Sequence, residues 1–211
     1  MKQKTKITTA WMAKVAILAA LSIVLYNIKI SLSPPFPPFL KLQFSNLPLV
    51  IGGFLLGPKA GIVILLIRTV VHLPTSNTQM VGELADFIIG TGYVLTTSII
   101  YRKQKTKKGG IIALSVGLLV WILVACIANY FILIPFYIEF KMGGVEPFVE
   151  MCKVFMPQMT VDNYKIVYTL AAALPFNLVI SILVTIVTFF TYKRLSFLFN
   201  KITFEKEEKE E

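Results

Sequence analysis

Two long stretches of the chain carry no charged residue, and they constrain its fold more than any other feature. They run from Ile111 to Leu133 and from Tyr168 to Phe190. Each is long enough to cross the roughly 30 Å hydrocarbon core of a bilayer as a helix. The whole chain is 56% hydrophobic and only 15% charged, which is too apolar for the surface of a soluble domain. We therefore expect an all-α integral membrane protein, because a helix pairs its own backbone groups in lipid.

Loops rich in proline or basic residues divide the chain into six apolar segments. The predicted spans cover about 10–30, 47–56, 60–73, 82–101, 111–138 and 164–192. The first is longer than the core of a secretory signal, so we expect it to be retained. The second and third spans are short, and two alternatives remain for them: short crossings partly shielded by protein, or one re-entrant hairpin. Pro135 is expected to interrupt the fifth span, and residues 139–163 to form a mixed loop. We predict one six-helix domain over residues 1–204 and a charged cytoplasmic tail over residues 205–211.

The basic residues predict how the chain is oriented. The N-terminus, Lys59, the linker 102–108 and the Lys193-Arg194 pair all fall on one side of the predicted spans. By the positive-inside rule this side is cytoplasmic, so both termini are expected inside the cell membrane. The net charge of +10 is placed at the ends of spans and not interleaved with aromatic residues. It therefore does not indicate nucleic-acid binding.

Three charged residues stand close to the predicted outer side. Arg68 lies inside the third span, and Glu83 and Asp86 begin the fourth. A charge within a span is costly unless it is paired or reaches water. Either the two acids complement the positive end of a helix and neutralise Arg68, or all three line a polar cavity that is open to the outside.

Two asparagines, Asn129 and Asn177, lie at membrane depth near prolines. Unpaired amides are unfavourable there, so each must hydrogen-bond to a partner. That partner is either a neighbouring helix or a heterocyclic ligand with amide-like edges. Flat apolar walls for such a ligand would come from Tyr130, Phe131, Phe136 and Phe176.

Small residues in the first span form a candidate surface for contact with another helix. Ala16 and Ala20 are spaced i, i+4, which makes a low-relief surface that another helix can approach closely. Ordinary internal packing is the alternative.

Enzyme and metal motifs are missing from the sequence. It contains no GxSxG, HExxH, phosphate loop or ATP-binding signature, and Cys126 and Cys152 do not have metal-ligand spacing. We expect neither an enzyme nor a metal or cofactor site, and energy for any active transport must come from elsewhere.

Several short segments together resemble a known family. They are Phe39-Leu40-Lys41-Leu42-Gln43-Phe44-Ser45-Asn46-Leu47-Pro48, Gly82-Glu83-Leu84-Ala85, Asn129-Tyr130-Phe131 and Pro175-Phe176-Asn177-Leu178. With them the chain resembles the riboflavin-specific substrate-binding (S) component of energy-coupling factor (ECF) transporters. The resemblance covers most of the chain, and the first segment is its most specific part.

The resemblance implies a fold, a ligand and partners. It implies a six-helix S component that captures riboflavin near the outer face, under a lid formed by the loop after the first span. It implies docking onto a transmembrane coupling protein and two cytoplasmic ATPases, with Ala16 and Ala20 on the docking face. Riboflavin would be the transported ligand and not a cofactor. The substrate-binding residues expected from the resemblance and the polar positions are Leu40, Leu42, Arg68, Glu83, Asn129, Tyr130, Phe136 and Asn177.

The sequence departs from the family pattern in several places. Gln43 and Asn46 stand where aspartates are usual. The family pattern also has a lysine three residues after the Asn of Pro-Phe-Asn, and this chain has Ile180 at that position. Arg68-Thr69 stands where Lys-Asn is usual. The alternatives are an S component for FMN or another vitamin, a small membrane enzyme, and a self-sufficient carrier, which is usually larger and built from repeats.

Overall fold

Six apolar helices form the body of the protein. The computed structural model describes residues 7–33, 35–37, 40–76 and 80–207, with side chains described through residue 192. In these ranges five helices are long and apolar enough to cross a membrane: Thr9–Asn27, Pro58–Thr75, Val81–Lys103, Lys107–Met142 and Tyr164–Tyr192. The sixth, Asn46–Leu56, is apolar but shorter. The predicted all-α, six-helix membrane fold is thus confirmed.

The elements follow one another with short connections. The α-helices are α1 Thr9–Asn27, α2 Asn46–Leu56, α3 Pro58–His72, α4 Val81–Lys103, α5 Lys107–Ala128, α6 Ile134–Tyr137, α7 Val145–Lys153, α8 Tyr164–Tyr168 and α9 Leu174–Glu207. A 3₁₀ turn, Leu73–Thr75, ends α3, and π-helical segments cover Asn129–Leu133, Ile138–Met142 and Thr169–Ala173. Two short strands, β1 Ile30–Ser31 and β2 Lys41–Leu42, pair antiparallel. The predicted tail lies outside the described residues from residue 208 onward.

The short helix α2 lies at the centre of the bundle. It packs against α1, α3, α4 and α9, and nearly all its residues up to Phe54 are buried. Its 11 residues rise only about 16 Å, roughly half of the hydrocarbon core. The protein therefore surrounds a helix that is too short to span the bilayer by itself. This agrees with the predicted alternative of short crossings that are shielded by protein.

Glycines let α2 and α3 approach each other closely. The hairpin turns at Gly57, whose φ of 97° is a left-handed conformation that favours glycine. A Cβ on Gly61 would stand 2.4 Å from Val94 Cγ1 and 2.9 Å from the Leu49 carbonyl oxygen. At position 61 there is therefore room for the hydrogen of glycine but not for a side chain.

Prolines widen two helices without ending them. The predicted interruption at Pro135 takes the form of a π segment, while the helical segment as a whole continues from Lys107 to Met142. A π segment, Asn129–Leu133, precedes Pro135, and another, Thr169–Ala173, precedes Pro175. Proline donates no backbone hydrogen bond, and its ring crowds the carbonyl four residues earlier, which lies inside the π segment in both cases. The wider turns absorb this conflict.

The predicted mixed loop contains a helix of its own. Helix α7 buries Phe148, Val149 and Cys152 on one side, where they pack with Tyr168 and the end of the fifth span. Burial raises the pKa of the Cys152 thiol to about 12, so this thiol stays protonated and unreactive at neutral pH. The loop is therefore a packed cover on the bundle.

Candidate ligand-binding cavity

A cavity of about 200 Å³ lies between α4, the π segments, α7 and the strand β2. We call it the ligand cavity. Its polar lining residues are Lys41, Gln43, Asp86, Asn129 and Asn177. Its aromatic lining residues are Tyr137, Phe148, Tyr168 and Phe176. Apolar walls with a few convergent polar groups are typical of small-molecule sites.

A buried arginine organises one side of the ligand cavity. Arg68 is 0% exposed, and its guanidinium donates to Ser45 Oγ at 2.7 Å and to Asn46 Oδ1 at 2.8 Å. It also forms a salt bridge with Asp86. These charge-assisted bonds offset the cost of removing the guanidinium from water. They join α3, the start of α2 and the cavity wall on α4.

Glu83 has a different role from Asp86. Its carboxylate accepts a hydrogen bond from Ser76 Oγ at 2.5 Å, and Ser76 Oγ accepts from the Met80 backbone N–H at 2.8 Å. Glu83 therefore fixes the first turn of α4. The sequence left two alternatives, neutralisation of Arg68 by the acids or a polar cavity lined by all three residues. Asp86 does both, since it pairs with Arg68 and lines the cavity. Glu83 and Arg68 do not line it.

The two cavity asparagines are bonded differently. Asn177 Oδ1 accepts from Trp121 Nε1 at 3.0 Å, and its Nδ2 donates to the Ala173 carbonyl at 2.9 Å. It thereby ties α9 to α5. Asn129 Nδ2 donates to the Ala125 carbonyl of its own helix at 2.8 Å, and nothing in the described part of the chain bonds its Oδ1. Asn129 is therefore the amide with an acceptor left for a ligand.

A second acceptor belongs to Gln43. Its Oε1 is buried and has no hydrogen-bond partner among the described residues, although Gln43 lines the ligand cavity. A buried acceptor without a partner is unfavourable, so a ligand donor would stabilise it. Ile180, where the family pattern has lysine, packs in the apolar core and does not line the cavity.

The structure separates the residues that the sequence grouped. Leu40, Asn129 and Asn177 meet at the ligand cavity. Leu42 is buried in the core, while Phe136 lines another groove on the bundle. Tyr130 lies beside Asn129 on the π segment but does not line the cavity.

Three aromatic lining residues were missed by sequence analysis. Tyr137 and Tyr168 lie next to π segments, which turn their side chains away from a simple helical face. Phe148 lies on α7, where Phe148, Val149 and Cys152 form one apolar side. The same helix carries the charged residues Glu146, Glu150 and Lys153. That amphipathic pattern is the signal that could have identified α7.

The small-residue surface of α1 faces away from the bundle. Ala16 and Ala20 are exposed, whereas Ala19 on the other side is buried. Helix α1 packs on α2 and α3 through its buried side. Both residues of the Ala16–Ala20 surface are thus open to the surroundings of the bundle.

Comparison with known proteins identifies the family. The family model described as "ECF transporter, substrate-specific component" matches residues 11–192, which cover all of the described apolar helices except the first two residues of α1. The chain belongs to this family. It is therefore a component of a membrane transporter, and the predicted resemblance to S components is confirmed.

Relatives of this S component carry consistent names. The riboflavin transporter RibU of Staphylococcus aureus (strain TCH60) is 30% identical over 86% of this chain and 88% of its own length. The riboflavin transporter FmnP of Bacillus subtilis (strain 168) is 29% identical over 73% of this chain and 75% of its own. A solved structure of the S component of a bacterial ECF transporter matches with a TM-score of 0.67 and 29% identity, covering 89% of this chain and 96% of that one.

The Arg68–Asp86 pair makes a prediction about the stability of this S component. Asp86→Asn keeps the side-chain size but leaves the Arg68 charge buried without a counterion, which should cost about 3–5 kcal/mol. Adding Arg68→Met removes that charge and should restore much of the loss. The melting temperature in mild detergent measures both effects, with the exposed Asp162→Asn as control. A double variant no more stable than Asp86→Asn alone would contradict the pairing.

Proposed function

We propose that this S component binds riboflavin and delivers it into the cell as part of an ECF importer. One observation carries the proposal: the ligand cavity joins four aromatic rings to a polar side made by Lys41, Gln43 and Asp86. Riboflavin has the complementary form, since a flat ring system with an amide-like edge carries a chain of hydroxyl groups. The printed names of the relatives support the same ligand.

The cavity favours one orientation of the flavin. The isoalloxazine ring would lie among the aromatic side chains, with Asn129 Oδ1 accepting from a ring N–H. The hydroxyl chain would lie toward Gln43 and Asp86, where carbonyl and carboxylate oxygens accept from hydroxyls. Lys41, at the exposed edge of the cavity, can donate to the same chain. The ring N–H and the hydroxyl chain of the ligand would then each meet cavity groups of opposite hydrogen-bonding sense.

The segment after α1 is suited to covering this cavity. Strand β2 pairs with β1 and brings Leu40 and Lys41 to the cavity edge. Pro34, Pro38 and Phe39, which belong to the predicted lid, lie outside the described residues. We place capture at the outer face, with both termini cytoplasmic, because the basic segments Lys59 and 102–108 belong to the opposite side of the spans.

Transport requires partners that supply energy. The exposed Ala16–Ala20 surface allows a helix of a transmembrane coupling protein to approach closely. Two cytoplasmic ATPases bound to that protein would drive reorientation and release of the vitamin. Docking and ligand binding would then use different parts of the bundle, since no residue of α1 lines the ligand cavity.

The ligand proposal is tested by titrating riboflavin fluorescence with the purified protein. Wild type should quench it, and Asn129→Leu should lose about 1–3 kcal/mol, or roughly five- to hundredfold in affinity, because the ring N–H is left unpaired. The control is Asn27→Leu, since Asn27 makes the same bond to a carbonyl four residues earlier, Ile23, at 3.0 Å.

Melting temperatures measured on both variants separate binding from folding. A loss of stability without a loss of affinity in Asn129→Leu would remove Asn129 from the site. Failure of the wild type to quench riboflavin would overturn the ligand itself.

The docking proposal predicts that a substitution on the Ala16–Ala20 surface reduces assembly with the partners without changing riboflavin affinity. Ala16→Trp adds bulk to a close-approach face, so it should reduce co-purification of the coupling protein and ATPases while riboflavin affinity stays unchanged. Leu123→Trp, on the exposed side of α5, is the control. Full recovery of the partners with Ala16→Trp would place the docking surface elsewhere.

A further inference from the structure

A second concavity opens on the outside of the helix bundle. It has a volume of about 480 Å³ and lies between α3, the first turns of α4 and the helical segment from Ile132 to Phe140. Every residue that lines it except Thr69 is apolar. We propose that this groove, here called the acyl groove, binds one acyl chain of a membrane phospholipid.

Position in the membrane selects lipid as the occupant. All three walls belong to helices that are long and apolar enough to span a bilayer. Leu66 and Val70 on α3 are 49% and 54% exposed, and Phe136 on the opposite wall is 46% exposed. Such side chains on a spanning helix meet hydrocarbon, so the apolar surface around the groove is continuous with the lipid-facing surface.

The size of the acyl groove favours a chain over a helix. A helix with its side chains is about 10 Å across and rises 5.4 Å per turn, so one turn fills roughly 400 Å³. The groove would thus take a single turn of a partner helix and leave the rest without contact. A flexible acyl chain is thinner than a helix and can adapt its shape to the walls.

One wall of the groove is held in a fixed conformation. Met80, which lines it, has a φ of 70°, a left-handed conformation that is uncommon for a residue with a side chain. The Met80 N–H donates to Ser76 Oγ at 2.8 Å, and Ser76 in turn donates to Glu83. These bonds keep the start of α4, and with it Leu84, in place beside the groove.

The acyl groove and the ligand cavity share one side chain. Val81 lines both, and it is buried. An acyl chain in the groove therefore packs against the back of the cavity wall. The lipid site itself does not depend on which ligand the cavity holds.

Native mass spectrometry of the full chain tests this site. The protein is stripped in detergent and incubated with palmitoyl-oleoyl-phosphatidylglycerol. Wild type should retain one tightly held phospholipid, and Leu84→Trp and Val70→Trp should each lose it, because indole fills the groove. The control is Leu119→Trp, which is exposed on α5 away from the groove and should retain the lipid. Melting temperatures near that of wild type show that the variants are folded.

Four results would overturn the proposal. Retention of the lipid by both groove variants, or equal loss in the control, would place the bound lipid elsewhere. Equally tight retention of dihexanoyl-phosphatidylglycerol, which has the same headgroup and very short chains, would assign binding to the headgroup. If Leu84→Trp keeps the lipid but no longer co-purifies with the coupling protein from cells, the groove would be assigned to a protein partner.

Discussion

The buried charge of Arg68 is the constraint on which the rest of the site depends. A guanidinium with no exposed surface must find all its compensation inside the protein. Its partners come from the segment that follows β2, through Ser45 and Asn46, and from α4, through Asp86. One side chain therefore fixes the position of the cavity edge relative to the bundle. It also explains why Asn46 suits this chain, since an amide oxygen accepts from Arg68 without adding another buried charge.

Proline chemistry shapes the opposite side of the cavity. The π segments before Pro135 and Pro175 are in contact with each other, and Asn129 lies in the first of them. A π turn shifts the register of the side chains that follow it, so neighbouring residues no longer keep a simple helical face. This shift places Asn129, Ile134 and Tyr137 at the cavity while Phe131 and Phe136 face outward. The same distortion thus makes both the ligand cavity and one wall of the acyl groove.

Sequence alone predicted those features that follow from hydrophobicity and from local motifs. Long uncharged runs identified the spans, and Leu40, Asn129 and Asn177 were marked by a family segment or by their position near prolines. The wall residues Phe148 and Tyr168 escaped prediction because their position depends on how α7 packs on the bundle. Phe136 was grouped with the site because it lies close to Asn129 in sequence, whereas the π turn between them rotates it to the outer surface. Pairing of Arg68 with Asp86 rather than Glu83 likewise depends on the tertiary packing of α3 against α4.

The central claim is that the aromatic cavity holds riboflavin, and the visible absorption spectrum of the gently purified protein tests it most directly. Riboflavin enclosed by aromatic side chains should co-purify with the protein, leaving it yellow with bands near those of free flavin, and denaturation should release the flavin in amounts up to one per chain. A colourless protein that also gains no flavin absorbance after incubation with riboflavin and gel filtration would contradict the account.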